Sequence, residues 1–204
     1  KYNDEIMSFN ISNQYTVQEF EHKLSITTLC FNDYELFPMW HEYYRKQGID
    51  HFYIYYNGIV GDKKKFFDYD DVTLIEWPFK YWNSYRRKKL SSVHHAQPAY
   101  LNHSLYLFGK KTSEYIIYCD LDEYLQTHCG IKIPNDMITI KQLITERPNI
   151  DVIRFLNLWA ETIDNKIPTS FPDNFLVSQH IQKVERTKNL YKTSVVKCIS
   201  IHSP

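Results

Sequence analysis

Neither sign of charge dominates this chain, and no stretch of it stays apolar long enough to cross a bilayer. Lysine plus arginine equals aspartate plus glutamate at 24 each in 204 residues, so no overall field draws it toward nucleic acid or an anionic membrane. No apolar run approaches the ~18 residues of a spanning helix, and the first twenty residues carry no signal-peptide core. The expectation is a chain without a membrane segment, located in the cytoplasm, with the Golgi lumen as the alternative if an N-terminal anchor has been removed. Cysteine is sparse: Cys30, Cys119, Cys129 and Cys198 lie far apart with no Cys-x-x-Cys pair. That spacing argues against a disulfide frame or a zinc site and for buried free thiols. Repeats, low-complexity tracts and obvious linkers are missing too, so the length reads as one domain, 1–204, with a sizeable core. Aromatics are plentiful at 16%, with 17 tyrosines, which suits sugar or ring stacking and a packed core equally.

The pattern along the chain alternates strand and helix, which predicts an α/β fold. Leu24 to Phe31 (LSITTLCF) reads as a first strand. Asp33 offers a cap for a helix through about Gln47, with Phe37, Trp40 and Tyr44 on one face and Gly48 ending it. His51 to Tyr56 (HFYIYY) is a second strand, Asn57 to Asp71 a polar loop, and Val72 to Glu76 a third strand. The basic cluster Arg86, Arg87, Lys88 and Lys89 lies in an irregular stretch, followed by a helix from near Pro98 with Leu101, Leu105 and Phe108 as its buried stripe. Later come a short capped helix, Thr139 to Glu146, and a strand, Asp151 to Leu158. The tail, Phe175 to Ile201, alternates as β-structure does, with a turn near Lys188 and Asn189.

The most informative stretch is YIIYCDLDEYL, Tyr115 to Leu125. Its unbroken apolar run predicts a central parallel strand covered on both faces, and in open α/β sheets the ligand sits beyond the carboxyl ends of such strands. Asp120 and Asp122 stand at that end. Two apart on an extended chain, they would point the same way and offer hard oxygen donors to a divalent cation such as Mg or Mn. Taken alone, the pair allows a metal site, a phosphatase or a plain turn. The haloacid dehalogenase type of phosphohydrolase is excluded because Tyr124 stands where its signature wants Thr or Val, and because the motif falls past mid-chain.

Three segments together resemble glycosyltransferases of the GT-A fold, most closely family 92. They are CFNDYELFPMWHEYYRKQGIDHFYIYYNG (Cys30 to Gly58), VTLIEWPF (Val72 to Phe79), and the helix with Gln97, Ala99, Tyr100 and Asn102 that leads into YCDLDEYL. Matched in order and spacing over roughly the first 125 residues, they are far more specific than a lone Asp-x-Asp. A similar small domain also opens some glycan-building enzymes of large algal viruses.

The resemblance implies a mostly parallel GT-A sheet flanked by helices with a β-rich C-terminal part. About 24–125 would bind the nucleotide sugar and about 126–204 the acceptor. It further implies a nucleotide-sugar donor, UDP-linked by expectation, a glycan or glycoprotein acceptor, a divalent metal (Mn2+ or Mg2+), and inversion by direct displacement. Transfer of a hexose or 6-deoxyhexose would leave a nucleoside diphosphate whose charge needs stabilising. Asp122 would hold the metal, with Asp120 contacting the metal or the donor ribose, and His202 would return from the final strand as a further metal ligand. Phe31, Asn32 and Asp33 would meet the nucleotide base. Where the family commonly has Tyr-Asp-Asn, this chain has Tyr55, Tyr56 and Asn57. The acid that would accept the uracil imide proton is absent, so Asn57 is expected to substitute and the Tyr56 ring to stack on the base. Arg87 would hold the diphosphate, and Gln97 and Asn102 would face the donor. The general base is expected after the metal strand, with Glu161 first and Asp164 second. The rival reading is a catalytically inactive module that binds a sugar nucleotide or glycan.

Overall fold

The computed structural model describes residues 19–81, 96–128, 137–162, 175–181 and 187–200. Its strands are β1 (His22–Cys30), β2 (His51–Tyr56), β3 (Val72–Glu76), β4 (Ser113–Tyr118), β5 (Val152–Phe155), β6 (Leu158–Thr162), β7 (Phe175–Ile181) and β8 (Lys188–Lys192). The longer helices are α1 (Phe37–Lys46), α2 (Ala96–Ser104) and α3 (Ile140–Glu146), and α2 runs on through a π-helical turn, Leu105–Gly109, and a last helical turn, Lys110–Thr112. Six strands form one sheet in the order β3-β2-β1-β4-β8-β5, while β6 and β7 pair in a second. β1 lies parallel to both β2 and β4, and β2 to β3, whereas β8 is antiparallel to both of its neighbours, β4 and β5. Five strands of the sheet therefore share one direction and β8 is reversed. This is the mostly parallel α/β sheet that the alternating pattern predicts, and it is consistent with a GT-A arrangement.

Both faces of the sheet are covered, because side chains alternate across it. Leu24, Ile26, Phe52, Ile54, Tyr115 and Ile117 pack with Phe37, Trp40 and Tyr44 of α1 and with Ile140 and Ile144 of α3. Tyr53, Tyr55, Ile116 and Tyr118 point the other way, into a second cluster with Ala96, Tyr100, Leu101, Trp77 and Tyr191. The run Tyr115 to Cys119 is buried throughout, which is why it reads as continuously apolar rather than alternating. Gly48 adopts φ 88° and closes α1, and a Cβ there would lie 2.6 Å from Lys141 Cβ. Only glycine accepts both the left-handed backbone and the close approach of α3.

Several expectations are corrected at element ends. The helix expected from Asp33 is split into a 3-10 turn, Tyr34–Leu36, and α1. Asp33 does not cap it: its carboxylate accepts the Phe31 N–H at 2.9 Å. The expected strand Asp151 to Leu158 ends at Phe155, and Leu158 begins β6 in the other sheet. Lys188 and Asn189, expected in a turn, open β8 instead. The capped helix does form, with Thr139 and Gln142 reciprocally bonding each other's backbone N–H groups. Cys30 and Cys119 are free and buried, as expected, while Cys198 is free and exposed. Among the described residues, no helix is long and apolar enough to cross a membrane.

Candidate active site

Reading along the sheet, the chain order reverses between β1 and β4, which are neighbours although β2, β3 and the helices α1 and α2 separate them in sequence. Crevices outside the carboxyl ends at such a switch point are where open α/β sheets bind ligands. Two loops meet there: Phe31 to Asp33 after β1, and Cys119 to Leu125 after β4. The second is a tight turn, in which the Glu123 N–H donates to the Asp120 carbonyl at 3.1 Å. Leu121 is fully buried while its neighbours Asp120 and Asp122 reach toward solvent. The two aspartates thus stand on a turn, Asp120 opening it and Asp122 within it, rather than on the expected extended chain, because the chain must leave the sheet at this point.

Helix α1 holds the turn in place. The Trp40 indole N–H donates to the Asp120 carbonyl at 3.0 Å, and the Tyr43 hydroxyl donates to the Leu125 carbonyl at 2.7 Å. The Tyr44 hydroxyl donates to the Glu123 carbonyl at 3.1 Å and accepts the Leu125 N–H at 3.0 Å. These three residues are the Trp-x-x-Tyr-Tyr of the first resembling segment. Their polar atoms bind the backbone of the third, so the two sequence motifs are one physical unit.

The charges at the turn form a compact cluster. Lys188 Nζ lies 2.6 Å from Asp120 Oδ2 and 2.9 Å from Glu123 Oε2, with only 12% of its side chain exposed. Burial works against the Lys188 charge, but the Asp120 and Glu123 carboxylates outweigh it and hold the ammonium above its ordinary range. Burial pulls the Glu123 carboxyl upward against the attraction of Lys188; the 2.9 Å separation is that of an ion pair. The reversed strand explains how the lysine arrives. Because β8 is antiparallel to β4, with Asn189 opposite Tyr118, its first residue falls at the carboxyl end of β4 beside Asp120.

Asp122 forms no ion pair among the described residues. Although it presents surface to solvent, the protein around it and the negative charge of Asp120 raise its carboxyl above the usual range. A carboxylate short of compensating charge, beside a second one, is a donor set that suits a hard divalent cation. Among the described residues, no three His, Cys, Asp or Glu side chains converge as a ready metal site. A third ligand would have to come from elsewhere, and His202 lies outside the described residues.

Other candidates fall into three groups. Gln97 lines a small solvent-open cleft together with Tyr100, Asp120, Lys188, Asn189 and Ile199, and its Oε1 accepts the Tyr81 hydroxyl at 3.2 Å. Phe31 is 50% exposed beside Gly58 and Tyr56, with Asn32 exposed next to it. Asn57 Nδ2 donates to the Trp77 and Phe79 carbonyls, at 2.8 Å each, which fixes the amide at the mouth of β2. Tyr56, expected to stack on a base, is instead 2% exposed and packed in the core against Tyr34 and Phe67, leaving Phe31 as the exposed ring nearby.

Asn102 is tied to the backbone. It donates to the Pro98 and Ile199 carbonyls and accepts the Ile199 N–H, clamping the segment that leads to His202. Glu161 is exposed on β6, in the smaller sheet, opposite Leu176. Arg87 and Asp164 lie outside the described residues.

Sequence reasoning missed Lys188, Asn189 and the buried Tyr100. A lysine opening one more alternating strand carries no local signal, since its role arises only when β8 inserts between β4 and β5. Among known proteins, the model of glycosyltransferase family 92 matches residues 21–204. No curated protein matches the chain.

Proposed function

The chain belongs to glycosyltransferase family 92 and is a glycosyltransferase, and from that premise we propose a metal-dependent, inverting transfer of a hexose or 6-deoxyhexose from a UDP-linked donor to a glycan acceptor. Membership implies a sugar donor and a glycan acceptor. The observation that carries the finer reading is the placement of Asp120 and Asp122 on a tight turn at the switch point of the sheet, with Asp122 short of compensating charge.

Asp120 and Asp122, with His202 as the expected third ligand, would hold Mn2+ or Mg2+, which supplies Lewis-acid stabilisation of the departing diphosphate. The exposed Phe31 ring supports a stacking role against the base, with Asn32 and Asn57 beside it to read its edge. Gln97 lines the same cleft as Asp120 and would orient the donor, and Arg87 is assigned to the diphosphate. In the transfer itself, an acceptor hydroxyl oxygen bonds to the anomeric carbon as the bond from that carbon to the diphosphate oxygen breaks. Its proton passes to a carboxylate. Glu161, exposed on β6, is the first candidate for that base and Asp164 the second.

A thermal-shift panel of nucleotides and nucleotide sugars, with and without Mn2+, tests this reading, because a ligand bound only to the folded state raises the melting point. UDP and a UDP-sugar are expected to stabilise the chain in Mn2+ and much less in EDTA. Stabilisation equal in both conditions would remove the metal from the account.

A further inference from the structure

We propose that Lys188 is a resident counter-ion that occupies part of the cation site, so that its ammonium must release Asp120 before the aspartate pair takes up a divalent ion. This rests on reading Asp120 and Asp122 as the metal-binding pair.

Three observations carry it. Lys188 Nζ sits 2.6 Å from Asp120 Oδ2, on a carboxylate oxygen that a bound cation would also claim. Its side chain is 12% exposed, so the ammonium is held by its carboxylate partners rather than by water. Glu123 provides an alternative anchor: its Oε2 is 2.9 Å from Nζ and is itself fixed by the Asp120 N–H at 3.2 Å. Lys188 can therefore give up Asp120 and keep Glu123.

Charge counting points the same way. Asp120, Asp122 and Glu123 against Lys188 leave two negative charges, which a divalent cation balances. Without the lysine the deficit would be three, and attraction for a cation would grow. Lys188 is thus a positioning residue. It orders Asp120 and Glu123, lowers the affinity of the aspartate pair for metal, and on release turns its charge toward the cleft lined by Gln97 and Tyr100, where a diphosphate would lie. The lysine couples cation and diphosphate binding without touching the reacting atoms.

Mn2+ binding to the full chain, followed by the EPR signal of free Mn2+ in the absence of nucleotide, tests the proposal on wild type, Lys188→Met and Lys188→Gln, with circular dichroism to establish folding. Both variants should bind Mn2+ more tightly, by on the order of tenfold. Unchanged or weaker binding in the folded variants overturns the proposal. A wild type that binds no Mn2+, alone or with UDP, overturns the metal reading itself. Acetylation of wild-type lysines by acetic anhydride, mapped by mass spectrometry, needs no variant: modification of Lys188 should rise when Mn2+ is added, and no change contradicts its release.

Discussion

Tyr44→Phe removes one oxygen atom from the core and should loosen the turn that carries both aspartates. The Tyr44 side chain is fully buried, and its hydroxyl both donates to the Glu123 carbonyl and accepts the Leu125 N–H, at 3.1 and 3.0 Å. Without it, the N–H of the buried Leu125 is orphaned, a cost of about 1–3 kcal/mol, and the bond to Glu123 is lost for about another 1 kcal/mol. The sum, about 2–4 kcal/mol, corresponds to a fall in melting temperature of roughly 4–16 °C for a chain of this size. Tyr43→Phe supplies the contrast. That hydroxyl donates to the Leu125 carbonyl at 2.7 Å, and the loss of that one bond should cost about 1 kcal/mol. Urea unfolding separates the two, with lower midpoints and unchanged slopes expected. A Tyr44→Phe protein within about 0.5 kcal/mol of wild type, or one more stable than Tyr43→Phe, refutes the role given to the hydroxyl.

Asp122→Asn should stabilise the metal-free protein near pH 7. Burial and the Asp120 charge raise the Asp122 carboxyl, so the folded state holds its proton more readily than the unfolded chain. Stability is therefore lost as pH rises through the carboxylate range, and the penalty is absent below the ordinary aspartate pKa of about 3.9. Melts in EDTA should show the variant ahead at pH 7 and level with wild type below that value; a variant no more stable at pH 7 contradicts the charge argument. Glu161→Gln should keep donor stabilisation in the thermal-shift assay yet lose transfer, whereas near-normal turnover would move the base elsewhere.

What was readable in the sequence divides along physical lines. β2 is found where its apolar run places it, because burial between neighbouring strands leaves a local compositional mark, and β3, half-buried at the sheet edge, also keeps its expected bounds. Gly48 and the Thr139 capping box were legible for the same reason, since each meets a backbone demand within a few residues. The linkage of Trp40, Tyr43 and Tyr44 to the turn at Asp120 was visible only as two motifs recurring together. The hydrogen bonds that join them span about 80 positions. Lys188 was invisible because antiparallel insertion of β8 is a tertiary event. Asp120 and Asp122 are expected on an extended strand, whereas the strand ends one residue earlier than its apolar run and the acids occupy a turn.

Release of UDP from a UDP-sugar, measured with wild type and Asp122→Ala in Mn2+ and in EDTA, bears most directly on the claim that this turn is the metal clamp of a sugar-nucleotide site. Wild type should release UDP in Mn2+ and not in EDTA, and Asp122→Ala should release little in either. Release that persists in EDTA, or that survives Asp122→Ala unchanged, would contradict it.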